Sequence, residues 1–396
     1  MKRASDAAPA ETGSFPAAND RYVAELDGIR ALAVGIVIAA HYRLVPYVPG
    51  GFGVTLFFFL SGYLITTLFF SEYHQTSTIK IGQFYLRRWL RLTPTLIIFV
   101  VFGTIFHAVS RTAVGGDPVP LGTIMAALLY YTNYYGLFYH LDSAIVIPFA
   151  ISWSLAIEEH FYLMWPLLLR GNIRSAQRLL SIIIFLCLAV LAWRIVARFI
   201  LLAPTEYTYM ATDCRIDSIL YGALLRALFE TSWAEAAIRI LRTRSVRLLA
   251  LLTLLATLFI RGDDFRETIR YSIQGLALMP IFTAVLSDPS TAWHRRILSN
   301  GAMVLIGRLS YSIYLLHLFC RTPAEAYFGS VYDWAPTISG LVLTGAAAYG
   351  IYIFIERPLA LLRRRFRATG ATNHPEPEPA PLLAPTGGAL PHHPAG

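Results

Sequence analysis

Long apolar segments are the feature that most restricts how this chain can fold. A helix that crosses a membrane needs about 20 largely apolar residues, and about ten such segments occur. They are 26–45, 52–71, 93–110, 151–169, 179–202, 213–229, 247–261, 270–287, 302–320 and 335–355. Only 14% of the residues are charged, whereas a soluble domain has about 25%. The sequence therefore predicts an all-α, polytopic transmembrane helix bundle of about ten spans.

The charges between these segments predict their orientation, because Lys and Arg concentrate in the cytoplasmic loops of membrane proteins. The basic stretches are 80–91, 170–178, 239–247, 294–296 and 363–367. By contrast, 45–51 and 203–212 contain no Lys or Arg. Ten spans with both termini in the cytoplasm place every basic stretch inside. We therefore assign the net charge of +9 to loops of a protein in the cytoplasmic (inner) membrane, not to a nucleic-acid surface.

One further apolar segment, 121–139, is rich in tyrosine and does not fit this arrangement. As an eleventh full span it would move 170–178 to the outside, so we expect it to be re-entrant or to lie at the outer interface. Such backbone is tolerated where protein or water covers it. The membrane domain is predicted to cover 21–367, with a flexible tail at 1–20 and a disordered, Pro- and Ala-rich tail at 368–396.

The first apolar segment carries two ionisable side chains, which are costly in lipid and often functional. In RALAVGIVIAAHY, ten residues separate Arg30 from His41. Eleven helical steps of 100° amount to three turns plus about 20°, so both side chains are predicted on one face, about 16 Å apart along the axis. Arg30 then lies nearer the cytoplasm and His41 nearer the outside. The alternative is an arginine that snorkels inward and a histidine that merely sits at the outer interface.

An arginine cluster precedes the third apolar segment. In FYLRRWLRLTP, Arg87, Arg88 and Arg91 fall on adjacent faces of one helical turn at the predicted cytoplasmic surface. Arginine suits phosphate groups because its planar guanidinium can donate two parallel hydrogen bonds. The cluster is therefore a candidate phosphate-binding site. An ordinary basic loop, or a contact with anionic lipids, is the alternative.

Two adjacent carboxylates lie in the middle of the fourth apolar segment, ISWSLAIEEHFYLMWP. Glu158 and Glu159 point about 100° apart on a helix, so a single site is expected to receive only one of them. A carboxylate in a cavity of low dielectric constant can orient a histidine, balance its charge or act as a base. The alternative is a structural ion pair with an arginine of another span, for which Arg194 and Arg215 are available.

Further polar residues inside apolar segments are weaker candidates, with either a substrate contact or a structural role. They are Ser61 in FFFLSG, Arg215 and Asp217 in CRIDSILYG, and Tyr311 and His317 in GRLSYSIYLLHL. For Gly62, beside Ser61, close helix packing is the favoured interpretation. The three cysteines are scattered and predict neither a disulfide framework nor a zinc site. No metal site is predicted elsewhere.

In this order, the motifs resemble those of the acyltransferase 3 family of integral membrane acyltransferases. The resemblance covers about 21–360 and rests on six stretches. They are ELDGIRALAVGIVIAAHY, GGFGVTLFFFLSGYLI, FYLRRWLRLTP, SWSLAIEEHFYLMWP, RIDSILYG and LSYSIYLLHL. One departure is visible, because many members have an acidic residue where Thr55 stands. Thr55 is therefore given no role.

The resemblance implies transfer of an acyl group, most often acetyl, from cytoplasmic acyl-CoA to a carbohydrate or another acceptor. It also implies that Arg30 and His41 form the essential pair and that Arg87 and Arg88, together with Arg91, bind the donor. Some relatives carry a fused extracytoplasmic hydrolase-like domain that completes transfer. The Pro-rich tail of this chain does not resemble one, so we expect direct transfer or cooperation with a separate protein.

Acyl-CoA (acetyl-CoA) is thus expected as a co-substrate, with no bound cofactor. A histidine can remove the proton of the acceptor hydroxyl or carry the acyl group covalently, and the sequence leaves both routes open. Envelope polysaccharides, lipid-linked glycans and secondary metabolites are the candidate acceptors. A transporter or flippase would use the same intramembrane charges, and a membrane scaffold is a third interpretation. No repeated halves typical of transporters are seen, and the six ordered motifs favour the enzyme.

Overall fold

The computed structural model describes residues 23–45, 49–114, 118–139, 147–287, 292–328 and 334–364. All regular secondary structure within these ranges is helical, which confirms the predicted all-α class. The two predicted tails, 1–20 and 368–396, lie outside the described residues, so the prediction for them stays a prediction.

The described chain forms a series of helices of very different length. They are α1 (Ala24–His41), α2 (Gly50–Thr76), α3 (Ile81–Val114), α4 (Leu121–Leu128), α5 (Thr132–Tyr139), α6 (Ile147–Ala150), α7 (Trp153–Asn172), α8 (Ala176–Phe199), α9 (Thr205–Met210), α10 (Thr212–Arg215), α11 (Asp217–Leu228), α12 (Ala234–Leu241), α13 (Arg244–Phe259), α14 (Asp263–Glu267), α15 (Arg270–Ser287), α16 (Ala292–Leu298), α17 (Gly301–Phe328), α18 (Ala335–Ile351) and α19 (Arg357–Arg364). A π-helical turn, Tyr352–Glu356, joins α18 to α19.

Within the part of the chain that the structure describes, five helical stretches are suited by length and composition to crossing a membrane. They are Gly50–Thr76, Ile81–Val109, Ala176–Phe199, Gly301–Arg321 and Ala335–Arg363. This finding agrees with a membrane protein but does not confirm about ten spans. The helices at the other predicted spans are shorter or more highly charged. For example, α11 has 12 residues, and α7 contains Glu158, Glu159 and Arg170.

The tyrosine-rich segment 121–139 is not one continuous helix. It forms α4 and α5, which have 8 residues each, and Tyr130 between them has a positive φ of 57°. An eight-residue helix is about 12 Å long, whereas the hydrocarbon core of a bilayer is about 30 Å thick. The exclusion of this segment from the full spans therefore agrees with the structure. Its re-entrant or interfacial position stays a prediction.

Helix α3 begins well before the apolar segment at 93–110 from which it was predicted. It has 34 residues and contains Pro94 in its interior. The arginine cluster therefore belongs to the first turns of a long helix, as the expected helical turn implied, and 81–91 is not a loop. Sequence periodicity misses this start because arginines and apolar residues alternate there without a long apolar run. The predicted cytoplasmic side of this stretch stays a prediction.

Glycines bring the helices that carry the candidate site close together. An added Cβ on Gly62 of α2 would collide with the backbone of Ile219 on α11, and one on Gly222 of α11 would collide with the backbone of Phe59 on α2. The predicted packing role of Gly62 is thus confirmed. Helix α1 packs against α2 and α17, and α17 also packs against α18. These contacts fix α1, α2 and α17 relative to one another.

Candidate active site

A cavity lies between α1, α2, α3, α7 and α17, with about 670 Å³ of space, part of it continuous with solvent. The charged side chains in its lining are Arg30, Arg88, Arg91 and Glu158. Because three arginines face one glutamate, the cavity is cationic and suited to an anionic ligand.

Hydroxyl groups hold Glu158 at the cavity wall. Ser61 Oγ donates to Glu158 Oε1 at 3.0 Å, and Tyr162 Oη donates to Glu158 Oε2 at 3.0 Å. Tyr162 Oη also lies 2.9 Å from Ser61 Oγ. The sequence left Ser61 without an assigned role, and the structure makes it part of this hydrogen-bond network.

Arg88 lies beside the two glutamates without binding either of them tightly. Its guanidinium carbon is 3.6 Å from the centre of the Tyr162 ring. Its nitrogens approach Glu158 Oε2 and Glu159 Oε1 no closer than 4.0 Å. In the described part of the chain, Arg88 Nε and Glu159 Oε1 are buried without a hydrogen-bond partner. Arg88 therefore keeps donors that a bound anion could use.

The arginine cluster divides into two environments. Arg88 and Arg91 line the cavity, whereas Arg87 forms an ion pair with Glu72 of α2 at 3.6 Å. Among the described residues, no carboxylate lies within ion-pair distance of Arg91. The side chains of Arg87 and Arg88 are only 18% and 13% exposed, and their position at the cytoplasmic membrane surface stays a prediction. Arg91, like Arg88, is free of a tight carboxylate partner and faces the cavity.

Arg30 and His41 share α1, as predicted, but they lie in different surroundings. Arg30 lines the cavity, and its Nη1 is 3.5 Å from Asp27 Oδ1. His41 is the last residue of α1, about 16 Å further along the helix axis. His41 is not among the residues that line the cavity.

His41 contacts a second histidine and not a carboxylate. Its Nδ1 is 2.7 Å from Nε2 of His317 on α17, and His317 Nδ1 is 2.6 Å from the carbonyl oxygen of Tyr314. Tyr314 also lines the cavity, so it connects the cavity to the histidine pair. None of the described contacts joins His41 to Glu158 or Glu159. The expected orientation of His41 by a glutamate is therefore not seen.

Arg215 and Asp217 lie in a separate buried cluster. Asp217 pairs with Arg194 at 2.9 Å, and both side chains are fully buried, so Asp217 takes part in a buried ion pair between helices. Arg215 is also fully buried. Its guanidinium lies 3.5 Å over the Tyr271 ring, and its Nη2 is 3.3 Å from Thr55 Oγ1. Its Nε and Nη1 have no hydrogen-bond partner among the described residues.

Two residues of the site were missed in the sequence analysis, namely Ser154, which lines the cavity, and Tyr162, which donates to Glu158. Both lie four residues from Glu158, which places the three on one helical face. That spacing was the signal that could have found them. Tyr311, which was a candidate, lines the cavity and donates from its hydroxyl to the carbonyl oxygen of Leu92 at 3.0 Å. This hydrogen bond ties α17 to α3.

Span-length apolar helices and a cationic cavity between helices of the bundle indicate a membrane protein. Residues 23–357 match the family model described as an acyltransferase domain. Since that match covers most of the 396 residues, the chain belongs to the acyltransferase 3 family.

Two relatives illustrate the similarity. O-acetyltransferase OatA of Staphylococcus aureus (strain NCTC 8325 / PS 47) is 28% identical over 358 residues, which cover 86% of this chain and 57% of OatA. The S. aureus protein SACOL0978 (strain COL) is 30% identical over 357 residues, which cover 85% of this chain and 57% of that protein. The chain thus spans little more than half the length of these relatives. No solved structure matches it.

Proposed function

We propose that the protein is an integral O-acetyltransferase of the cytoplasmic membrane. It transfers an acetyl group from cytoplasmic acetyl-CoA to a hydroxyl group of a carbohydrate or glycolipid. Membership of the acyltransferase 3 family and similarity to O-acetyltransferase OatA support acyl transfer. The observation that carries the assignment is the cationic cavity, because it offers arginine donors for a phosphate-bearing ligand and reaches the histidine pair through Tyr314.

The phosphate groups of CoA are assigned to the arginines of the cavity. Guanidinium groups bind phosphate through paired, charge-assisted hydrogen bonds. Arg88 Nε has no partner among the described residues, and Arg30 and Arg91 add positive charge to the same cavity. The basic residues near the start of α3 favour a cytoplasmic position for this end of the bundle. Acetyl-CoA would then enter from the side on which it is made.

The thioester is assigned to the region between Tyr314 and His41. Arg30 and His41 are about 16 Å apart along α1, and the extended pantetheine arm of CoA has a comparable length. A donor held by its phosphates at Arg30 would therefore present its thioester near the far end of the helix. The acceptor hydroxyl would reach His41 from the outer side.

His41 can take part in acetyl transfer by either of two routes, as a general base or as a covalent carrier. As a base, a bare ring nitrogen takes the hydroxyl proton while the hydroxyl oxygen attacks the thioester carbon; the C–S bond breaks, and the CoA thiolate takes the proton. As a carrier, the nitrogen attacks the thioester carbon and CoA leaves as the thiolate; the acceptor oxygen then attacks the acetyl carbon and displaces neutral imidazole, and the hydroxyl proton passes to the thiolate or to solvent. Neither route needs a bound cofactor. A separate extracytoplasmic protein that receives the acetyl group is compatible with the second route.

The test uses the purified protein in liposomes with acetyl-CoA labelled in the acetyl group. We expect thioester consumption, and label transfer when a glycan acceptor is present, to fall at least about 100-fold in His41→Ala, the usual contribution of a catalytic base. The control is His74→Ala, because His74 is a half-exposed histidine that pairs with Glu230 outside the cavity. Flux of a labelled glycan without any consumption of acetyl-CoA would instead support the transporter.

A further inference from the structure

The hydrogen bonds of His317 determine where its proton lies. His317 is fully buried, and its Nδ1 is 2.6 Å from the carbonyl oxygen of Tyr314. A carbonyl oxygen only accepts, so Nδ1 of His317 carries the hydrogen. Burial without a carboxylate partner among the described residues favours a neutral ring. In a neutral ring protonated at Nδ1, Nε2 is an acceptor.

The same reasoning then applies to His41. Its Nδ1 is 2.7 Å from Nε2 of His317. Since that Nε2 accepts, Nδ1 of His41 donates, and Nε2 of neutral His41 is left with its lone pair. Two hydrogen bonds thus run in one direction, from His41 through His317 to the carbonyl oxygen of Tyr314. The ring nitrogen of His41 that is available for chemistry is Nε2.

Contacts with the backbone of both histidines hold this arrangement. Tyr42 Oη donates to the carbonyl oxygen of His317 at 2.8 Å and lies 3.1 Å from Thr344 Oγ1 on α18. Arg321 donates to the carbonyl oxygen of His41. The two imidazole rings are nearly parallel, with an interplanar angle of 17°. Because α1, α17 and α18 all take part, the contact between the rings is built into the bundle.

We propose that His317 is a positioning residue for acyl transfer, which holds His41 in the tautomer with Nδ1 protonated and Nε2 free to react. The catalytic meaning of this inference rests on the proposed function, whereas the arrangement of protons does not. His317 acts through His41 and is not assigned a contact with the donor or the acceptor. It fills the orienting role for which Glu158 or Glu159 was considered.

Both routes of acyl transfer need this tautomer. If His41 is a base, Nε2 takes the hydroxyl proton, the Nδ1 hydrogen keeps its bond to His317, and the proton on Nε2 then passes to the CoA thiolate. If His41 is a carrier, a bond forms between Nε2 and the acetyl carbon as the C–S bond breaks, and His317 Nε2 stabilises the positive ring through the Nδ1 hydrogen. Without an acceptor at His317, His41 also populates the tautomer with hydrogen on Nε2. In that tautomer Nε2 can neither take the hydroxyl proton nor attack the acetyl carbon.

Nitrogen NMR of protein labelled with ¹⁵N-histidine tests the proton arrangement directly, in lipid at pH 8, above the ordinary histidine pKa of about 6.5. The chain has 10 histidines, and the His41 signals are those lost in His41→Ala. We expect His41 to show a protonated Nδ1 and a bare Nε2. In His317→Leu we expect signals from both tautomers. A His41 with bare Nδ1 in the unchanged protein would overturn the inference, even if acetyl transfer is found.

Turnover by two variants tests whether the tautomer matters. In His317→Leu, kcat should fall at least about tenfold, as part of the contribution of a general base, while KM for acetyl-CoA stays within about twofold. His317→Gln offers an amide oxygen to His41 Nδ1–H, so it should restore the single tautomer and most of kcat. Thermal unfolding of both variants separates misfolding from catalysis. Equal kcat in His317→Leu and the unchanged protein, or equal loss in folded His317→Gln and His317→Leu, would refute the positioning role.

Discussion

Two buried arginines of this protein differ in how fully their hydrogen-bond donors are used. Arg194 is fully buried and donates to Asp217 at 2.9 and 3.1 Å, with further bonds to the carbonyl oxygens of Thr268 and Cys214. Arg88 is largely buried as well, but its contacts with carboxylates are 4.0 Å long. Its Nε has no partner among the described residues.

The difference separates residues that hold the fold from residues prepared for a ligand. A buried guanidinium whose donors are all satisfied connects helices, as Arg194 of α8 donates to Asp217 of α11 and to Ser272 of α15. A buried guanidinium with unused donors lowers the stability of the folded protein until an anion binds to it. The sequence alone could not separate the two, because both arginines lie in or beside apolar segments.

The largest expected effect concerns Arg194, whose removal would leave the carboxylate of Asp217 buried and uncompensated. We expect Arg194→Met to lower the free energy of unfolding by about 3–5 kcal/mol, measured by denaturant titration in mixed micelles. Arg198→Met is the matched control one turn further along α8, since Arg198 pairs with Asp264 at 3.1 Å on the surface. Its cost should be about 0–1 kcal/mol. If the two variants lose the same free energy of unfolding, the distinction between the buried Arg194 and the surface Arg198 is wrong.

A smaller effect, of opposite sign, is expected at Thr55, which is the hydrogen-bond partner of the buried Arg215. An aspartate there would give the guanidinium a carboxylate, and hydrogen bonds to charged groups contribute about 1.5–3 kcal/mol. We expect Thr55→Asp to raise the unfolding temperature and Thr55→Asn, of the same shape but uncharged, to leave it lower than Thr55→Asp. If the two variants are equally stable, Arg215 does not lack an anionic partner.

The smallest effect is expected at Glu158, which among the described residues is the one acidic side chain in the cavity lining. Glu158→Gln removes a negative charge beside Arg88 and should tighten acetyl-CoA binding by about 1 kcal/mol, or roughly fivefold, which is the strength of a charge interaction over about 4 Å in water. The exposed Glu235→Gln serves as the control and should leave the Kd unchanged. Weaker binding by Glu158→Gln would show that this carboxylate holds the donor site together and does not compete with the ligand.

Much of the architecture could be predicted from the sequence because it depends on local patterns. Apolar length predicted the helices, the interval of ten residues placed Arg30 and His41 on one helix, and the loop charges excluded 121–139 from the full spans. The number of spans is not confirmed, since α7 combines apolar length with ionisable residues. Composition alone does not say whether such a helix faces lipid or protein.

The pairing of side chains could not be predicted, because helical periodicity fixes a face but not the helix that it meets. His41 and His317 are separated by 276 positions, and nothing in either motif indicates their contact. The same holds for Glu158, which faces Arg88 and not the two arginines considered in the sequence. Arg87 and Arg88 are neighbours, yet one pairs with Glu72 and the other lines the cavity, because adjacent helical residues point about 100° apart.

The most direct test of the central claim compares the binding of two donors by the purified protein. Acetyl-CoA carries phosphate groups, whereas S-acetyl-pantetheine has the same thioester arm without them. If the cavity arginines bind the phosphates, acetyl-CoA has the lower Kd by at least about tenfold, and Arg91→Gln weakens acetyl-CoA alone by about ten- to a hundredfold. The exposed Arg170→Gln at the end of α7 changes neither Kd. Equal Kd values for the two donors, or unchanged acetyl-CoA binding by Arg91→Gln, would contradict the account.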